Sequence, residues 1–103
     1  MYDTADTIVA LATLAGKSAL NIIRVSGPLS LSFYQKLTNS SVLPKPNSCV
    51  PKNIYGSIKK PPIDYAMLIY YKAPKSFTGE DGIEIIVHGG IVIVNKVIDE
   101  IVG

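Results

Sequence analysis

Two short apolar runs in the first quarter of the chain predict two β-strands. Residues 7–13 (TIVALAT) and 21–25 (NIIRV) are rich in β-branched side chains, and Gly16 and Gly27 follow them. Apolar runs of this length and composition are typical of buried strands. We therefore expect two neighbouring strands here, joined by a short connection.

The third predicted element is a helix that ends near Thr38. Pro28 suits the first turn of a helix because its missing N–H has no intrahelical partner there, and Ser26 or Gly27 can cap it. Apolar side chains recur every four residues in this segment, at Leu29, Phe33 and Leu37. This spacing places them on one face of the helix. The polar side chains expected largely outside are those of Ser30, Ser32 and Gln35.

A surface connection is predicted over residues 39–52. Three prolines, Pro44, Pro46 and Pro51, stand there among asparagine and serine residues. Proline cannot donate to a backbone ladder, and this composition is typical of loops. We expect no regular element in this stretch.

Three more strands are predicted in the second half of the chain. Residues 53–59 and 65–72 are strand-like, and the segment between them is too short for a crossover helix. An antiparallel hairpin is therefore the expected arrangement. After a loop over residues 73–82, residues 83–87 form the last predicted strand.

The polar residues of the tail, residues 91–102, predict a second helix. Its β-branched IVIV segment lowers helix propensity slightly. However, Asn95-Lys96 and Asp99-Glu100 recur four residues apart, which is a helical period and not the strand period of two. The opposite face then carries Ile91, Val94, Val97, Ile98 and Ile101. The order ββαβββα predicts an α+β fold with a mixed, mostly antiparallel sheet and two helices.

Composition limits the class of protein. The 103 residues are 48% apolar and 17% charged, which predicts a single domain over residues 1–103. Ten Lys and Arg against eight Asp and Glu give a net charge of only +2. Proteins that bind nucleic acid mainly by neutralising phosphates usually carry a larger basic surplus. We therefore expect no direct nucleic-acid site in this chain.

Cysteine, histidine and hydropathy exclude further classes. Cys49 and His88 are the only residues of their types, so neither an intramolecular disulfide nor a structural zinc site is predicted. The first six residues carry two acids and no basic residue, and no apolar run approaches the roughly 20 residues of a membrane span. These features predict a cytoplasmic protein without membrane attachment.

Two glycine motifs imitate functional signatures without the required context. Residues 16–18 (GKS) resemble the end of a phosphate-binding P-loop, but Leu11 stands where the first glycine belongs and a strand follows instead of a helix. Residues 88–90 (HGG) resemble an esterase oxyanion loop, but no G-x-S-x-G nucleophile motif accompanies them. A structural turn with backbone N–H groups that attract anions is therefore expected at HGG. Without a nucleophile and base, we predict no catalytic residue.

Arg24 and Glu84 are lone charges inside apolar predicted strands. Burying either charge without a partner would cost several kcal/mol. Strand alternation places Arg24 on the same face as Ser26, and Glu84 on the same face as His88. Either a ligand or a salt bridge between the two must compensate, and the residues alone leave both possibilities open.

The loop over residues 76–82 (SFTGEDG) is a further candidate. Taken alone, its two glycines and adjacent acids are typical of a solvated connection. A solvated connection is therefore the default interpretation, and a binding role is the alternative because Phe77, an aromatic ring in a loop, needs a surface to pack against.

Three segments together resemble one protein family. DTIVALAT (residues 6–13), GKSALNIIRVSG (16–27) and APKSFTGEDGIEIIVHGG (73–90) are similar to the N-terminal domain of MnmE, also called TrmE, the tRNA-modification GTPases. The resemblance extends to about Val102. Its most specific part is SFTGED followed by E-I and H-G-G.

The resemblance implies a folate-binding domain, similar to that of the glycine-cleavage aminomethyltransferase, which also forms a homodimer. The ligand would be a one-carbon tetrahydrofolate, in the 5-formyl or methylene form. The arginine of I-I-R-V-S-G and the glutamate after F-T-G-E-D contact folate in the family, and they correspond to Arg24 and Glu84. Thr78, Glu80 and His88 are further candidate contacts. A carboxylate suits the N–H and amino edge of a pterin, and a guanidinium suits a carbonyl or carboxylate.

The resemblance also implies a longer parent protein, from which this chain would be an excised domain. GTP hydrolysis, with Mg²⁺ and K⁺, would belong to a separate GTPase domain, and modification of the tRNA wobble uridine would involve an MnmG-like partner. One departure favours an alternative. Residues 14–21 (LAGKSALN) lack three glycines and the arginine of the usual P-P-G-R-G-G-V-G loop, which favours a pure dimerisation domain that does not bind folate.

Overall fold

The computed structural model describes residues 2–4, 7–12, 20–57, 61–76 and 78–102. It contains the elements β1 (Tyr2–Thr4), β2 (Thr7–Leu11), β3 (Leu20–Ser26), α1 (Ser30–Thr38), β4 (Cys49–Ile54), β5 (Asp64–Tyr71), β6 (Gly82–His88) and α2 (Ile91–Val102). The predictions made for the GKS motif, for Phe77 and for most of the altered glycine loop lie outside the described residues.

The six strands form one antiparallel sheet in the order β1-β2-β3-β6-β5-β4. Both helices pack into a single core on one face, with α1 against β4 and β6 and α2 against β2, β3 and β6. The predicted α+β class is confirmed. The pairing of β4 with β5 confirms the expected antiparallel hairpin.

Strand alternation divides the sheet into a core face and an open face. On β6, which lies next to the centre of the sheet, Ile83, Ile85 and Val87 are fully buried under the helices. The opposite face is not covered by either helix in the described part of the chain. This open face carries the side chains of Ile8, Ala10, Ile22, Arg24, Tyr65, Met67, Ile69, Tyr71, Glu84 and Ile86.

The predicted second helix is confirmed as α2. Val94, Val97, Ile98 and Ile101 are buried, as the spacing of the polar residues requires. Ile91, expected on the same face, is 40% exposed at the first turn. With nine and twelve residues, the two described helices fall short of the length and apolar character that a membrane crossing needs.

The start of the first helix differs from the prediction. Helix α1 begins at Ser30, and no side chain caps it, so neither Ser26 nor Gly27 has the predicted capping role. Ser30, expected outside, is fully buried. Its hydroxyl donates to the carbonyl oxygens of Gly27, at 2.8 Å, and Asp81, at 3.1 Å. These two acceptors satisfy the hydroxyl inside the protein.

Two strand predictions were also wrong. β4 begins at Cys49 and ends at Ile54, so it includes part of the predicted connection, and residues 55–57 are not strand. Pro51 lies inside β4 opposite Met67. The sheet tolerates this proline because β4 is an edge strand, where a missing N–H can face solvent. The short strand β1, which pairs with β2, was not predicted at all.

Candidate functional site

The two lone charges form an ion pair on the open face. Arg24 of β3 lies directly opposite Glu84 of β6 in the antiparallel register. The Nε atom of Arg24 donates to Oε2 of Glu84 at 2.6 Å. The carboxylate is nearly buried, with 12% of its side chain exposed, whereas the arginine side chain is 48% exposed. The sequence left open whether a ligand or a salt bridge compensates these two charges, and the salt bridge is present.

Tyr71 of β5 completes the surroundings of the carboxylate. Its hydroxyl donates to Oε1 of Glu84 at 2.6 Å. Tyr71 lies opposite Gly82, two residues before Glu84 on β6. Burial, followed by the hydrogen bond to Glu84 and the negative charge of Glu84, raises the pKa of Tyr71 to about 12. The phenol therefore remains a hydrogen-bond donor at neutral pH.

A shallow groove of about 490 Å³ opens beside this cluster. Its lining residues are Arg24, Asn47, Tyr71, Pro74, Lys75, Ser76 and Glu84. We call it the Glu84 groove. It combines a buried carboxylate and two cationic side chains with hydroxyl and amide groups. Such a set of groups can orient a flat polar ligand by hydrogen bonds while it pairs a negative group of that ligand with a cation.

Thr78 lies close to the groove. Its Oγ1 atom and the Oγ atom of Ser26 share a hydrogen bond of 2.5 Å. Ser26 is two residues beyond Arg24 on the same strand face, about 7 Å along the strand. The loop that carries Thr78 is thereby held to the end of β3.

The side chains of Glu80 and His88, the other two candidates, do not line the groove. Glu80 lines a separate depression with Pro28, Ala73, Gly79 and Asp81, and its carbonyl oxygen accepts a hydrogen bond from the Ser76 hydroxyl. His88 is four residues from Glu84 along β6, which corresponds to about 13 Å. The structure therefore does not bring these two residues to the ion pair.

The HGG segment has the structural role that the sequence favoured. Asp64 accepts a hydrogen bond from the backbone N–H of His88 at 2.8 Å, and its carboxylate lies 3.2 Å from Nδ1 of the same residue. Asn21 donates from Nδ2 to the carbonyl oxygen of Gly89 at 2.8 Å. Gly89 has a φ of +79°, a conformation that glycine adopts without strain. The backbone N–H of His88, one of the donors that could have bound an anion, is therefore already bonded to the carboxylate of Asp64.

Sequence reasoning missed Tyr71 and Asn47. Alternation alone places Tyr71 on the same face as Ile69, but contact with Glu84 also requires that β5 pairs with β6. Asn47 belongs to the segment that was predicted as a surface connection. Its backbone N–H donates to the carbonyl oxygen of Tyr70 at 2.7 Å, which brings this connection to the rim of the groove. No local pattern in the sequence indicates either contact.

The chain is similar to a well-defined group of proteins. Residues 7–103 match the family described as GTP-binding protein TrmE N-terminus. The tRNA modification GTPase MnmE of a Nitratiruptor species is 42% identical over 97% of this chain and 22% of its own length. The MnmE of Thermotoga maritima is 43% identical over 91% of this chain and 20% of its own length. The mitochondrial tRNA modification GTPase mss1 of Schizosaccharomyces pombe is 39% identical over 92% and 19%. The chain spans about a fifth of the length of these curated relatives.

Proposed function

The chain belongs to the family of TrmE N-terminal domains, and we propose that it binds a one-carbon tetrahydrofolate in the Glu84 groove and pairs with a second copy through the open face. The curated relatives are tRNA modification GTPases of about five times this length. In a parent protein of that kind, this domain would serve GTP-dependent tRNA modification in the cytoplasm, together with an MnmG-like partner. Folate would be held here, and GTP elsewhere.

The observation that carries the folate proposal is the buried carboxylate of Glu84. An ionised carboxylate has about four acceptor positions on its two oxygens. Arg24 fills one position on Oε2 and Tyr71 fills one on Oε1. Among the contacts of the described residues, this leaves one further acceptor position on each oxygen. A pterin presents a ring N–H and an amino group side by side, and these two donors match two parallel acceptors.

The remaining lining of the groove fits the other parts of a folate. Ile69 lies directly opposite Glu84 on β5, and Ile86 follows Glu84 on the same face of β6, so apolar side chains adjoin the carboxylate. These side chains suit the flat faces of a pterin ring. Lys75 lines the groove and suits the negatively charged glutamate tail of a folate.

The ion pair between Arg24 and Glu84 would also stabilise the sheet without any ligand. A purely structural pair and a ligand site predict different results when either partner is removed. A structural pair would affect only unfolding, because each partner would compensate the charge of the other. A ligand site would affect folate affinity, because hydrogen bonds to charged groups contribute roughly 1.5 to 3 kcal/mol to binding.

Calorimetric titration of this chain with 5-formyltetrahydrofolate tests the proposal. We expect Arg24→Ala and Glu84→Ala each to weaken binding more than tenfold. The matched controls are Lys96→Ala and Asp99→Ala, which remove exposed charges from α2 on the other side of the sheet. Both controls should bind like the unmodified chain. If the two site variants bind normally but unfold at lower temperature, the pair is a structural salt bridge and the folate assignment is wrong.

The open face supports the proposed pairing of two copies. Ile8 is 40% exposed and Tyr65 is 56% exposed, and the half-buried Met67 and Ile69 lie on the same face. Exposed apolar side chains on an uncovered sheet face commonly mark a protein–protein contact. An isologous contact would place this face against itself.

Sedimentation velocity over a concentration series tests the pairing. We expect the unmodified chain to self-associate and Ile8→Glu to shift it towards the monomer, because an unpaired charge would be buried in the contact. The matched control is Val92→Glu. Val92, like Ile8, is an exposed apolar residue, but it lies on α2 and away from the open face. Self-association without any folate binding would favour the alternative function, a pure dimerisation domain. A chain that is monomeric at every concentration would contradict the pairing.

A further inference from the structure

A second cavity lies on the core side of the sheet, at its β4 edge. Its volume is about 190 Å³, and it shares no lining residue with the Glu84 groove. Helix α1, the connection that follows it and strand β4 form its walls. The lining residues are Tyr34, Thr38, Ser40, Val42, Leu43, Pro44, Lys45, Val50 and Lys52. We call it the Tyr34 cavity.

The buried hydroxyl of Tyr34 is the first evidence for a ligand in this cavity. Tyr34 is only 2% exposed, and its hydroxyl has no hydrogen-bond partner among the described residues. A buried hydroxyl without a partner lowers stability, whereas phenylalanine would fill nearly the same space without this cost. Burial also raises the pKa of Tyr34, so the hydroxyl keeps its proton and can donate. An acceptor supplied from outside the chain would satisfy it.

The charge of the lining identifies the kind of acceptor. Lys45 and Lys52 both line the cavity, and no acidic side chain does. Within the part of the chain that the structure describes, the recorded ion pairs involve neither lysine. Two ammonium groups and one phenolic donor favour an acceptor that carries negative charge.

The size and the apolar walls limit the rest of the ligand. Val42, Leu43, Pro44 and Val50 contribute apolar surface, and Val42 and Leu43 are 73% and 69% exposed. A dry cavity of about 150 Å³ holds one benzene ring. The cavity, of about 190 Å³, therefore has room for a single ring with one small substituent.

We propose that the Tyr34 cavity binds a small aromatic carboxylate, whose ring packs between the connection and β4. The carboxylate accepts a hydrogen bond from the Tyr34 hydroxyl and is neutralised by Lys45 and Lys52. This site lies on the face of the sheet opposite to the Glu84 groove, so the inference does not depend on the proposed folate function.

Titration of the ¹⁵N-labelled chain with benzoate, followed by NMR, tests the inference. We expect saturable shifts of the amides of Thr38, Val42 and Val50, with a Kd on the order of 1 mM or tighter for so small a ligand. Benzamidine has the same shape and the opposite charge, and benzyl alcohol is neutral. Both should bind at least tenfold more weakly than benzoate. Equal shifts with benzoate and benzamidine, or no saturation with benzoate, would overturn the proposal.

Variants separate a ligand site from a cavity that holds only water. Tyr34→Phe should weaken benzoate binding about tenfold or more, because a donor to a charged group is lost, and should unfold at the same temperature or higher. The double variant Lys45→Gln and Lys52→Gln should remove the preference for benzoate over benzyl alcohol. Tyr65→Phe, on the open face, is the matched control and should leave binding unchanged. Unchanged affinity in Tyr34→Phe, or a lower unfolding temperature that indicates a water-bound hydroxyl, would refute the assignment.

Discussion

Replacing Tyr71 by phenylalanine tests how the sheet holds the carboxylate of Glu84. The change removes only the hydroxyl, which donates to Oε1 of Glu84 at 2.6 Å. Glu84 is 9% exposed, so water cannot fully replace the lost donor. Hydrogen bonds to charged groups contribute roughly 1.5 to 3 kcal/mol. Because the ion pair with Arg24 persists, we expect the free energy of unfolding to fall by about 1.5 to 2 kcal/mol at pH 7.

Burial of Tyr71 and this contact together predict a loss of stability in alkaline solution. The pKa of Tyr71 is about 12 in the folded chain, against 10.0 for an ordinary tyrosine. The unfolded chain therefore loses this proton first as the pH rises, which favours unfolding. The stabilisation is fully present below about pH 10 and is lost as the pH approaches 12. Two pKa units correspond to at most about 2.7 kcal/mol, and partial exposure of the ring reduces this to about 1 to 2 kcal/mol.

Urea denaturation followed by circular dichroism between pH 7 and pH 11.5 measures both effects. Burial also raises the pKa values of Tyr34 and Tyr70, so the informative quantity is the difference between the unmodified chain and Tyr71→Phe. That difference should shrink above pH 10. Tyr65→Phe, which alters an exposed tyrosine on the same strand, should show no such trend. A Tyr71→Phe effect below about 0.5 kcal/mol, or one that is constant with pH, would refute the reasoning.

Four further substitutions test the packing of α2 and the backbone strain at two glycines, Gly89 and Gly79. Ile98→Asp places an unpaired charge at a position that is 4% exposed, so this variant should show no cooperative unfolding transition. The control Val92→Asp, at an exposed position of the same helix, should fold. A folded Ile98→Asp variant would contradict the packing of α2. Gly89→Ala should lower the free energy of unfolding by about 1 to 2 kcal/mol, because φ is +79° and the added Cβ meets only Ile93 at 3.9 Å. Gly79→Ala, where φ is +82° and an added Cβ has no neighbour within 4 Å, should lower the free energy of unfolding by a similar amount. Urea denaturation measures both changes. If the free energy of unfolding is unchanged in both variants, the strain argument is wrong.

The residue pattern alone determined which segments form most of the strands and helices, because these preferences are local. The period of two in β3 and β6 placed Arg24 and Glu84 on strand faces before any pairing was known. The four-residue spacing of polar pairs identified α2 despite its β-branched start. The motifs that resemble the TrmE family are likewise continuous stretches of sequence, so they were recognisable without a fold.

Only the tertiary structure decided which side chains meet. Tyr71 reaches Glu84 because β5 pairs with β6 in one particular register, and that register is a property of two strands together. Ser30 is buried because Asp81, 51 residues away, supplies an acceptor for its hydroxyl. Pro51 stands in a strand because that strand lies at the edge of the sheet. Local periodicity contains no information about such partners, since each depends on free energies of contact between segments that are distant along the chain.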